Sequence, residues 1–386
     1  MKKQKICIIG GGLTGLITAI AISKLNIDID LITENINQKS ETSRTIAISQ
    51  NNLDFIKKLD IFNKENKKLW PCSKIKLYSE IKNNKFPEIF EINNNYREKE
   101  QVLYMLKNST LKKEMIKKIR KINSISIINN KIISKISSAG SLMGIKLSNR
   151  TNKYNLIIIC TGSNSTLVKN NFSQSSLEHT YEEVSVTTII DHNYLKNNIA
   201  RQIFLDDEIM ALLPLSNKKT AIVWSIKKKI FKNDDDLIKK RIKFFTKNFL
   251  SNIKFLNKIE YKNLNFLIRN KYYKERILLF GDALHVVHPF AGQGFNMILR
   301  DLGCLEKIFA KKIGLGLDIG NSDTLNEFSD ETKPKNLIYS VGLDALKKTF
   351  SLKNQLIKDK RNNLLRILNS NNFTKKIFYR IANSGL

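Results

Sequence analysis

Near the N-terminus, the spacing of the hydrophobic positions changes twice between residues 5 and 34. The β-branched run at 5–9 predicts a buried strand, and after three glycines the apolar residues of 13–25 recur with helical spacing. A second apolar run at 27–33 predicts another strand, which ends at Glu34. This order predicts a βαβ unit, which belongs to a parallel sheet covered by helices.

The rest of the chain falls into blocks with different apolar spacing and contains no internal repeat with a period of roughly 20–50 residues. Alternating segments dominate the middle, whereas helical spacing dominates the C-terminal end. The predicted elements are short strands in 72–100, a helix at 101–122, strands across 125–160 and 176–265, a helix at 234–250, a buried strand at 276–280 followed by a Gly-rich segment and a helix, and helices through 331–386.

These blocks predict an α/β fold with a discontinuous, Rossmann-like nucleotide-binding domain. Its pieces bracket an inserted β-rich domain that would receive the substrate, and a C-terminal helical tail completes the chain. The predicted boundaries are 1–70, 101–175 and 265–330 for the nucleotide-binding domain, 71–100 and 176–264 for the substrate domain, and 331–386 for the C-terminal helical region.

The charge of the chain is strongly positive: 66 Lys and Arg stand against 35 Asp and Glu, a net charge of +31 at pH 7. Such a charge suits nucleic acid or an anionic membrane. The chain is equally rich in Asn and Ile, however, which indicates the codon usage of an A/T-rich genome instead. Because no RNP-like, zinc-finger or helix-turn-helix signature accompanies the charge, we expect no nucleic-acid partner.

Segments that direct a protein elsewhere are not indicated. The basic and apolar N-terminus resembles a signal peptide, but the consecutive glycines favour a strand, a turn and a helix. The longest apolar runs fall far short of the ~20 residues of a membrane-spanning helix. The four cysteines form no CxxC pair, which is typical of a reduced, cytoplasmic protein.

The first motif with chemical meaning is Gly10-x-Gly12-x-x-Gly15, between the predicted strand and helix. Gly10 permits the tight turn, Gly12 lets a pyrophosphate approach the backbone, and Gly15 lets helix and strand pack closely. Glu34 follows the second strand, where a carboxylate can accept hydrogen bonds from ribose hydroxyls. The motif and its context predict dinucleotide binding.

The second motif covers 281–301 and follows the buried strand at 276–280. Gly281 and Asp282 end this strand, so that the carboxylate can bind a ribose or ribityl hydroxyl. Gly292 and Gly294 leave backbone N–H groups accessible to a ring edge or a phosphate. Asn296 is predicted to begin a helix whose N-terminus points to the same place.

Together, these motifs resemble the single-component flavin aromatic hydroxylases, and most closely their ubiquinone-biosynthesis branch (UbiH/UbiF type). The segment Arg44–Ser49 (RTIAIS) and the strands at 210–215 and 221–225 are also similar, so the resemblance covers nearly the whole chain. The most specific signature is His288-Pro289-x-Ala291-Gly292-Gln293-Gly294-x-Asn296, followed by Arg300-Asp301.

The resemblance implies an FAD-dependent monooxygenase that hydroxylates a polyprenylated phenol of ubiquinone biosynthesis with O₂ and NAD(P)H. It assigns no catalytic side chain, because the cofactor carries the chemistry. By position, the implied FAD contacts are Gly10, Gly12, Gly15 and Glu34 for the ADP half, Arg44 near the phosphates, Asn108 at the flavin, Gly162 in a further turn, Gly281 and Asp282 at the ribityl chain or pyrophosphate, and Pro289, Gly292, Gln293, Gly294 and Asn296 along the isoalloxazine ring.

Two departures from the family pattern stand out. Members usually carry Ala-Asp-Gly-x-x-Ser-x-x-Arg after a strand, a segment linked to FAD phosphates and NAD(P)H use. Here Thr161 replaces the Asp before Gly162, and Val168 replaces the Arg. Ile298 stands where members usually have Gly. The first departure leaves open whether NAD(P)H reduces the flavin.

A metal site is not expected. His285 and His288 have the spacing i, i+3, which metal ligands can have, but no third ligand is near in sequence. The flavin loop accounts for both histidines.

The C-terminal region 331–386 contains 12 Lys and Arg against three Asp and Glu. A basic amphipathic helix there suits the surface of an anionic membrane, and a helix that packs on the protein with a solvated basic face is the alternative. The prenyl substrates of the family favour a protein peripheral to the inner membrane, and a multi-enzyme ubiquinone complex is a further possible partner. The apolar residues predicted to share one helix face are Leu364, Leu365, Leu368, Ile377, Phe378 and Ile381.

Two other functions remain open. The chain could be another flavin oxidoreductase of the same fold acting on a prenyl lipid, which Thr161 favours. It could also be a non-catalytic flavoprotein scaffold in the same pathway, which the basic tail and the altered 161–168 segment favour.

Overall fold

The computed structural model describes residues 3–36, 42–62, 68–80, 85–94, 101–129, 133–147, 150–172, 176–206, 208–289, 292–352 and 354–385. The strands in these ranges are β1 Lys5–Ile9, β2 Asp28–Thr33, β3 Thr45–Ser49, β4 Trp70–Cys72, β5 Lys74–Ser79, β6 Glu88–Asn93, β7 Leu103–Lys107, β8 Ile125–Asn129, β9 Ile133–Ala139, β10 Leu142–Leu147, β11 Arg150–Tyr154, β12 Leu156–Ile159, β13 Ser176–Asp191, β14 Ile199–Phe204, β15 Ile209–Ser216, β16 Lys219–Lys227, β17 Lys254–Phe255, β18 Glu260–Arg269, β19 Tyr273–Lys274, β20 Ile277–Leu279 and β21 His285–Val286. The helices are α1 Leu13–Ser23, α2 Gln50–Lys58, α3 Asn108–Ile119, α4 Thr166–Asn171, α5 Asp235–Thr246, α6 Gln293–Gly314, α7 Ser322–Phe350, α8 Gln355–Ser370 and α9 Asn372–Ser384, with a 3-10 turn at Gly281–Ala283.

A parallel sheet with the order β20-β12-β1-β2-β8 forms the centre of the first layer, and β19 pairs antiparallel with β20 at its edge. Strands β1, β2, β12 and β20 are short, apolar and almost fully buried, as expected for strands covered on both faces, whereas the edge strands β8 and β19 are more exposed. The chain moves from β1 to one side for β2 and β8, and to the other side for β12 and β20. The carboxyl ends of β1 and β12 therefore lie at the strand-order reversal where such sheets bind ligands.

The second layer is a larger, mostly antiparallel sheet with the order β21-β18-β13-β16-β15-β14-β5-β6, in which only the β14–β5 pair is parallel among its described strands. Segments from the predicted substrate domain supply most of it. Strand β18 crosses the predicted boundary at residue 265, and β21 adds a strand from the 281–301 motif. The segment that follows β20 of the first sheet thus also provides β21, an edge strand of the second sheet.

A small antiparallel sheet, β3-β7-β4, contains the RTIAIS segment. The helix predicted at 101–122 was wrong at its start, because Leu103–Lys107 is strand β7 and the helix begins at Asn108. Pairing with β3 and β4 decides the conformation of this short apolar run, which periodicity cannot distinguish from a helix start.

Helices α7, α8 and α9 form the C-terminal region, and α7 begins at Ser322, before the predicted limit of 331. The prediction of one shared apolar face was wrong. Leu365 and Ile381 pack against a core cluster, whereas Leu364 and Ile377 are 57% and 42% exposed. The helices therefore carry apolar residues on a packed side and on a solvent side. In the described ranges, no helix has the length and hydropathy needed to cross a bilayer.

Candidate cofactor and substrate site

The glycine turn after β1 is shaped by close backbone contacts. Gly10 has φ +128°, and a Cβ there would lie 2.7 Å from the Cys160 carbonyl oxygen. A Cβ at Gly15 would lie 1.9 Å from the Gly10 carbonyl oxygen. Both positions therefore require glycine for the fold itself, because α1 crosses the ends of β1 and β12 at backbone distance.

Gly12 differs from its two neighbours in the motif. Its backbone is extended, with φ −78° and ψ 178°, and no described atom lies within 4 Å of the position that a Cβ would take. As the N-cap of α1 it offers no side chain, and the first turn of α1 contains no acidic residue. The N–H groups that begin α1 thus face open space with a partial positive charge, which is an arrangement that binds phosphate.

Two carboxylates flank this helix terminus at the carboxyl ends of the parallel strands. Glu34 is exposed and directly follows β2, the neighbour of β1. Asp282 is exposed and lies in the 3-10 turn that follows β20. Gly281 has φ +67°, and a Cβ there would lie 2.4 Å from Thr14 Cγ2, so the turn packs tightly on α1.

A cavity of about 520 Å³ lies between Asp282 and the second sheet; Gly10, Gly12, Gly15, Glu34 and Gly281 are not among the residues that line it. Its rim holds Asn108, the first residue of α3, whose N–H donates to the Arg44 carbonyl oxygen (2.9 Å) and so joins the two polar candidates. Arg44 is also 4.0 Å from a Glu260 carboxylate oxygen. The predicted cofactor residues that line the cavity are Arg44, Asn108, Gly162, Asp282, Pro289, Gly292 and Gly294.

Gln293 and Asn296 are engaged by the protein instead. Helix α6 begins at Gln293, so the prediction that Asn296 begins it was wrong by one turn. The Asn296 carboxamide accepts from the Ser49 N–H (3.1 Å) and donates to the Ala47 carbonyl oxygen (2.9 Å). The Gln293 carboxamide accepts from the Tyr339 hydroxyl (2.8 Å). Both residues tie the start of α6 to neighbouring elements; residues 290–291, which precede it, lie outside the described ranges.

In the altered 161–168 segment, Val168 stands at the position of the family's Arg, and an arginine from another part of the chain supports the turn. Val168 is fully buried in the core of the first domain. The guanidinium behind this turn comes from Arg269 at the end of β18, which donates to the carbonyl oxygens of Ala283 (2.9 Å), Phe172 (3.3 Å) and Ser163 (3.4 Å). Burial lowers the pKa of Arg269. Sequence reasoning missed this residue because it lies about a hundred positions from the turn it supports.

The two histidines of the 281–301 motif bind carboxylates. His285 Nε2 is 2.7 Å from Asp301 Oδ2, and His288 Nε2 is 3.1 Å from Glu183 Oε2. Lys347 Nζ lies 2.6 Å from the other Glu183 oxygen. In the part of the chain that is described, no three His, Cys, Asp or Glu residues are grouped as metal ligands.

The Glu183–His288 pair is almost fully buried, with side chains that are 3% and 2% exposed. Burial lowers the pKa of His288. Burial alone raises the pKa of the Glu183 carboxyl, but its bonds to His288 and Lys347 bring this pKa below the usual value. An irregularity in β13 between Thr180 and Val184, with Glu182 at φ +52°, accompanies the inward placement of Glu183.

The far wall of the cavity is one face of the second sheet. It contributes apolar side chains from several strands, with Leu103 of the small sheet beside them. Single-sequence reasoning could not list these residues, because they come from four different strands, each with an alternating pattern. They are Ile75, Ala200, Ala211, Leu213 and Val223.

The model of a family described as an FAD binding domain matches residues 3–333. The chain belongs to this FAD-binding family. The predicted α/β fold, the FAD-dependent monooxygenase class and FAD as the cofactor are thereby confirmed.

Individual relatives agree with this membership. The mitochondrial ubiquinone biosynthesis monooxygenase COQ6 of Dictyostelium discoideum is 22% identical over 95% of this chain and 88% of its own length. The crystal structure of p-nitrophenol 4-monooxygenase PnpA from Pseudomonas putida covers 99% of this chain and 98% of its own, with a TM-score of 0.82 at 14% identity. Klebsiella pneumoniae HpxO, complexed with FAD and uric acid, has a TM-score of 0.78 at 14% identity and covers 99% and 96%.

The observed site fits FAD. The open space at Gly12 and the uncapped start of α1 suit its pyrophosphate. Glu34 and Asp282 can accept from its ribose and ribityl hydroxyls. The Thr45 hydroxyl lines the cavity, and among the described residues its buried oxygen has no hydrogen-bond partner, so it is available to the cofactor.

Proposed function

We propose that the protein hydroxylates a polyprenylated phenol or benzoquinol intermediate of ubiquinone biosynthesis, with O₂ and NAD(P)H as co-substrates. The observation that carries this proposal is the cavity that Asn108, Asp282 and Pro289 share with the apolar face of the second sheet. An aromatic ring with an apolar tail suits such a wall. The name of the Dictyostelium relative supports the same pathway.

In this proposal, the residues of the chain bind, orient and exclude water. The start of α1 and Asp282 hold the cofactor, and the loop at 289–294 places one side of the cavity against it. The apolar wall keeps water from the reacting ring. Bound FAD would supply the redox chemistry, in which two electrons from NAD(P)H and one O₂ give one oxygen atom to the phenol and one to water.

The test is an anaerobic titration of the FAD-loaded protein with NADH or NADPH, followed by aerobic turnover with a short-chain prenylphenol. We expect the flavin absorption to bleach and a hydroxylated phenol to form. Bleaching with no hydroxylated product would favour a reductase of the same fold. Flavin that stays oxidised with both NADH and NADPH would favour a scaffold role. The altered segment at 161–168 is the sequence feature that favours this alternative.

We further propose that the protein is cytoplasmic and peripheral to the inner membrane, docked through α8 and α9. The tail surface of these helices comprises the exposed apolar residues Leu356, Leu364, Ile367, Phe373 and Ile377. Within α8, positions 356, 360, 364 and 367 share one side, which places Lys360 among the apolar residues. Such a surface suits anionic lipid, because each basic residue near the bilayer contributes about 1 kcal/mol to the free energy of membrane binding.

Vesicle flotation tests the membrane proposal. The protein is expected to float with phosphatidylglycerol-containing vesicles, to release at high salt, and to bind several-fold less after Leu364→Gln with Phe373→Gln. Leu315→Gln, at another exposed leucine, is the matched control. Equal binding by both variants, or no binding by the wild type, would contradict this proposal, and the latter would favour a protein partner such as a pathway complex.

A further inference from the structure

A row of paired residues runs across the wall of the cavity. Gln202 of β14 pairs with Ala211 of β15, which pairs with Val223 of β16. Directly paired residues project to the same face of a sheet. All three residues line the cavity, so the row faces the space next to the cofactor residues.

The row continues from Val223 to Thr187 of β13, whose hydroxyl accepts from the Ser43 hydroxyl (2.9 Å). Gln202 is the polar residue of this row on β14. It is 4% exposed, and its side chain neighbours Ala200, Ala211 and Leu77 on the same sheet face. Throughout the described ranges, the structure gives the Gln202 carboxamide no hydrogen-bond partner. Neither carboxamide atom is among the fully enclosed polar atoms, so the amide reaches the cavity, where a ligand can take the hydrogen bonds that water would otherwise make.

The position of Gln202 along β14 places it near the cofactor loop. Phe204 lies two residues further on the same strand and therefore on the same face. It belongs to one apolar cluster with Ile209 and Met297, and Val287 packs against that cluster. Met297 is in the first turns of α6, and Val287 precedes Pro289. Gln202 thus stands between the apolar wall and the loop that would line the isoalloxazine ring.

We propose that Gln202 determines substrate orientation by hydrogen-bonding the ring oxygen of the phenol; this inference rests on the function proposed above. A carboxamide has both a donor and an acceptor, so it can bind a hydroxyl, a methoxy or a quinone oxygen. The small side chains of Ala200 and Ala211 leave room for the ring beside it. With its oxygen held at Gln202, the ring presents a defined carbon to the cofactor loop.

The test compares two ligands and three proteins. A short-chain alkylphenol and the matching alkylbenzene are titrated into the FAD-loaded wild type, Gln202→Met and the exposed control Gln355→Met, with the flavin absorption spectrum as readout. Methionine keeps the length of the side chain but has no hydrogen-bonding amide. We expect Gln202→Met to bind the phenol about 10-fold more weakly and the alkylbenzene as the wild type does. FAD content and Tm should not change.

Turnover provides the second readout. In Gln202→Met, NAD(P)H oxidation should continue while the hydroxylated product formed per NAD(P)H falls several-fold, because a misoriented ring is not attacked. If Gln202→Met retains the wild-type preference for the phenol, or loses both ligands equally, the Gln202 assignment is wrong while the proposed function stands. If the wild type itself shows no preference for the phenol, the proposed substrate class is wrong as well.

Discussion

Replacing Gly12 with valine tests whether cofactor binding or folding requires a glycine at this position. The backbone at Gly12 is extended, and apart from its own turn and helix no described atom lies within 4 Å of an added Cβ, so the fold leaves space for a side chain here. Loss of the glycine N-cap costs the apoprotein only about 1 kcal/mol. The added carbons instead occupy the space through which a pyrophosphate reaches the start of α1.

The magnitude follows from the hydrogen bonds that valine would prevent. If the phosphates lose two bonds from first-turn N–H groups, at about 1.5–3 kcal/mol each for a charged acceptor, the loss is about 3–6 kcal/mol. This corresponds to a roughly 10²- to 10⁴-fold higher Kd for FAD.

The assay is a fluorescence titration of apoprotein with FAD, together with the thermal unfolding of each apoprotein. Gly342→Val is the matched control, because a Cβ at this α7 position also meets no described atom and lies outside the cavity lining. The control should bind FAD like the wild type. Wild-type FAD affinity in Gly12→Val, or an apoprotein that no longer unfolds cooperatively, would refute the reasoning.

Further predictions concern the groups that hold the site together. Arg269→Leu leaves three carbonyl oxygens without their buried donor, so we expect a loss of about 2–4 kcal/mol in unfolding free energy and weaker FAD retention; an unchanged denaturation midpoint would contradict this. Burial lowers the pKa of His288, so below about pH 6.5 the unfolded chain takes up a proton that the folded one does not. The unfolding free energy should then fall by at most about 1.4 kcal/mol per pH unit, and His288→Asn should flatten the dependence of Tm on pH. The lowered pKa of Glu183 adds stability above its unfolded value of about 4.3 that is lost as pH falls through the folded pKa, which Glu183→Gln should remove. Asn296→Ala should slow FAD association and raise protease sensitivity near residue 49, because the tie between α6 and β3 is lost; a digestion pattern like that of the wild type would count against it.

The candidate residues for the cofactor half of the site could be named from the sequence because they lie in local motifs. Gly15 is fixed by its contact with Gly10 within one strand–turn–helix unit, and Glu34 follows from the next strand, whereas the close contact of Gly10 is with Cys160 after β12. Asp282 is similarly placed by the strand directly before it. Gly15, Glu34 and Asp282 each depend only on the strand and turn next to them, which the spacing of the residues reveals.

The substrate half depends on pairing between distant strands, so the sequence alone did not define it. The wall combines Ile75, Ala200 and Val223, which belong to strands far apart in the chain. Arg269 supports a turn that lies far before it in sequence. Strand β7 was mistaken for a helix because a five-residue apolar run has no decisive period, and partner strands decided its conformation.

Turnover under isotopically heavy O₂ tests the central claim most directly. The FAD-loaded protein, NAD(P)H and a short-chain prenylphenol are incubated together, and the product is analysed by mass spectrometry. We predict a phenol that carries one additional, heavy oxygen atom and forms in proportion to the NAD(P)H consumed. Oxidation of NAD(P)H with no heavy oxygen in the phenol would contradict the assignment of a phenol hydroxylase.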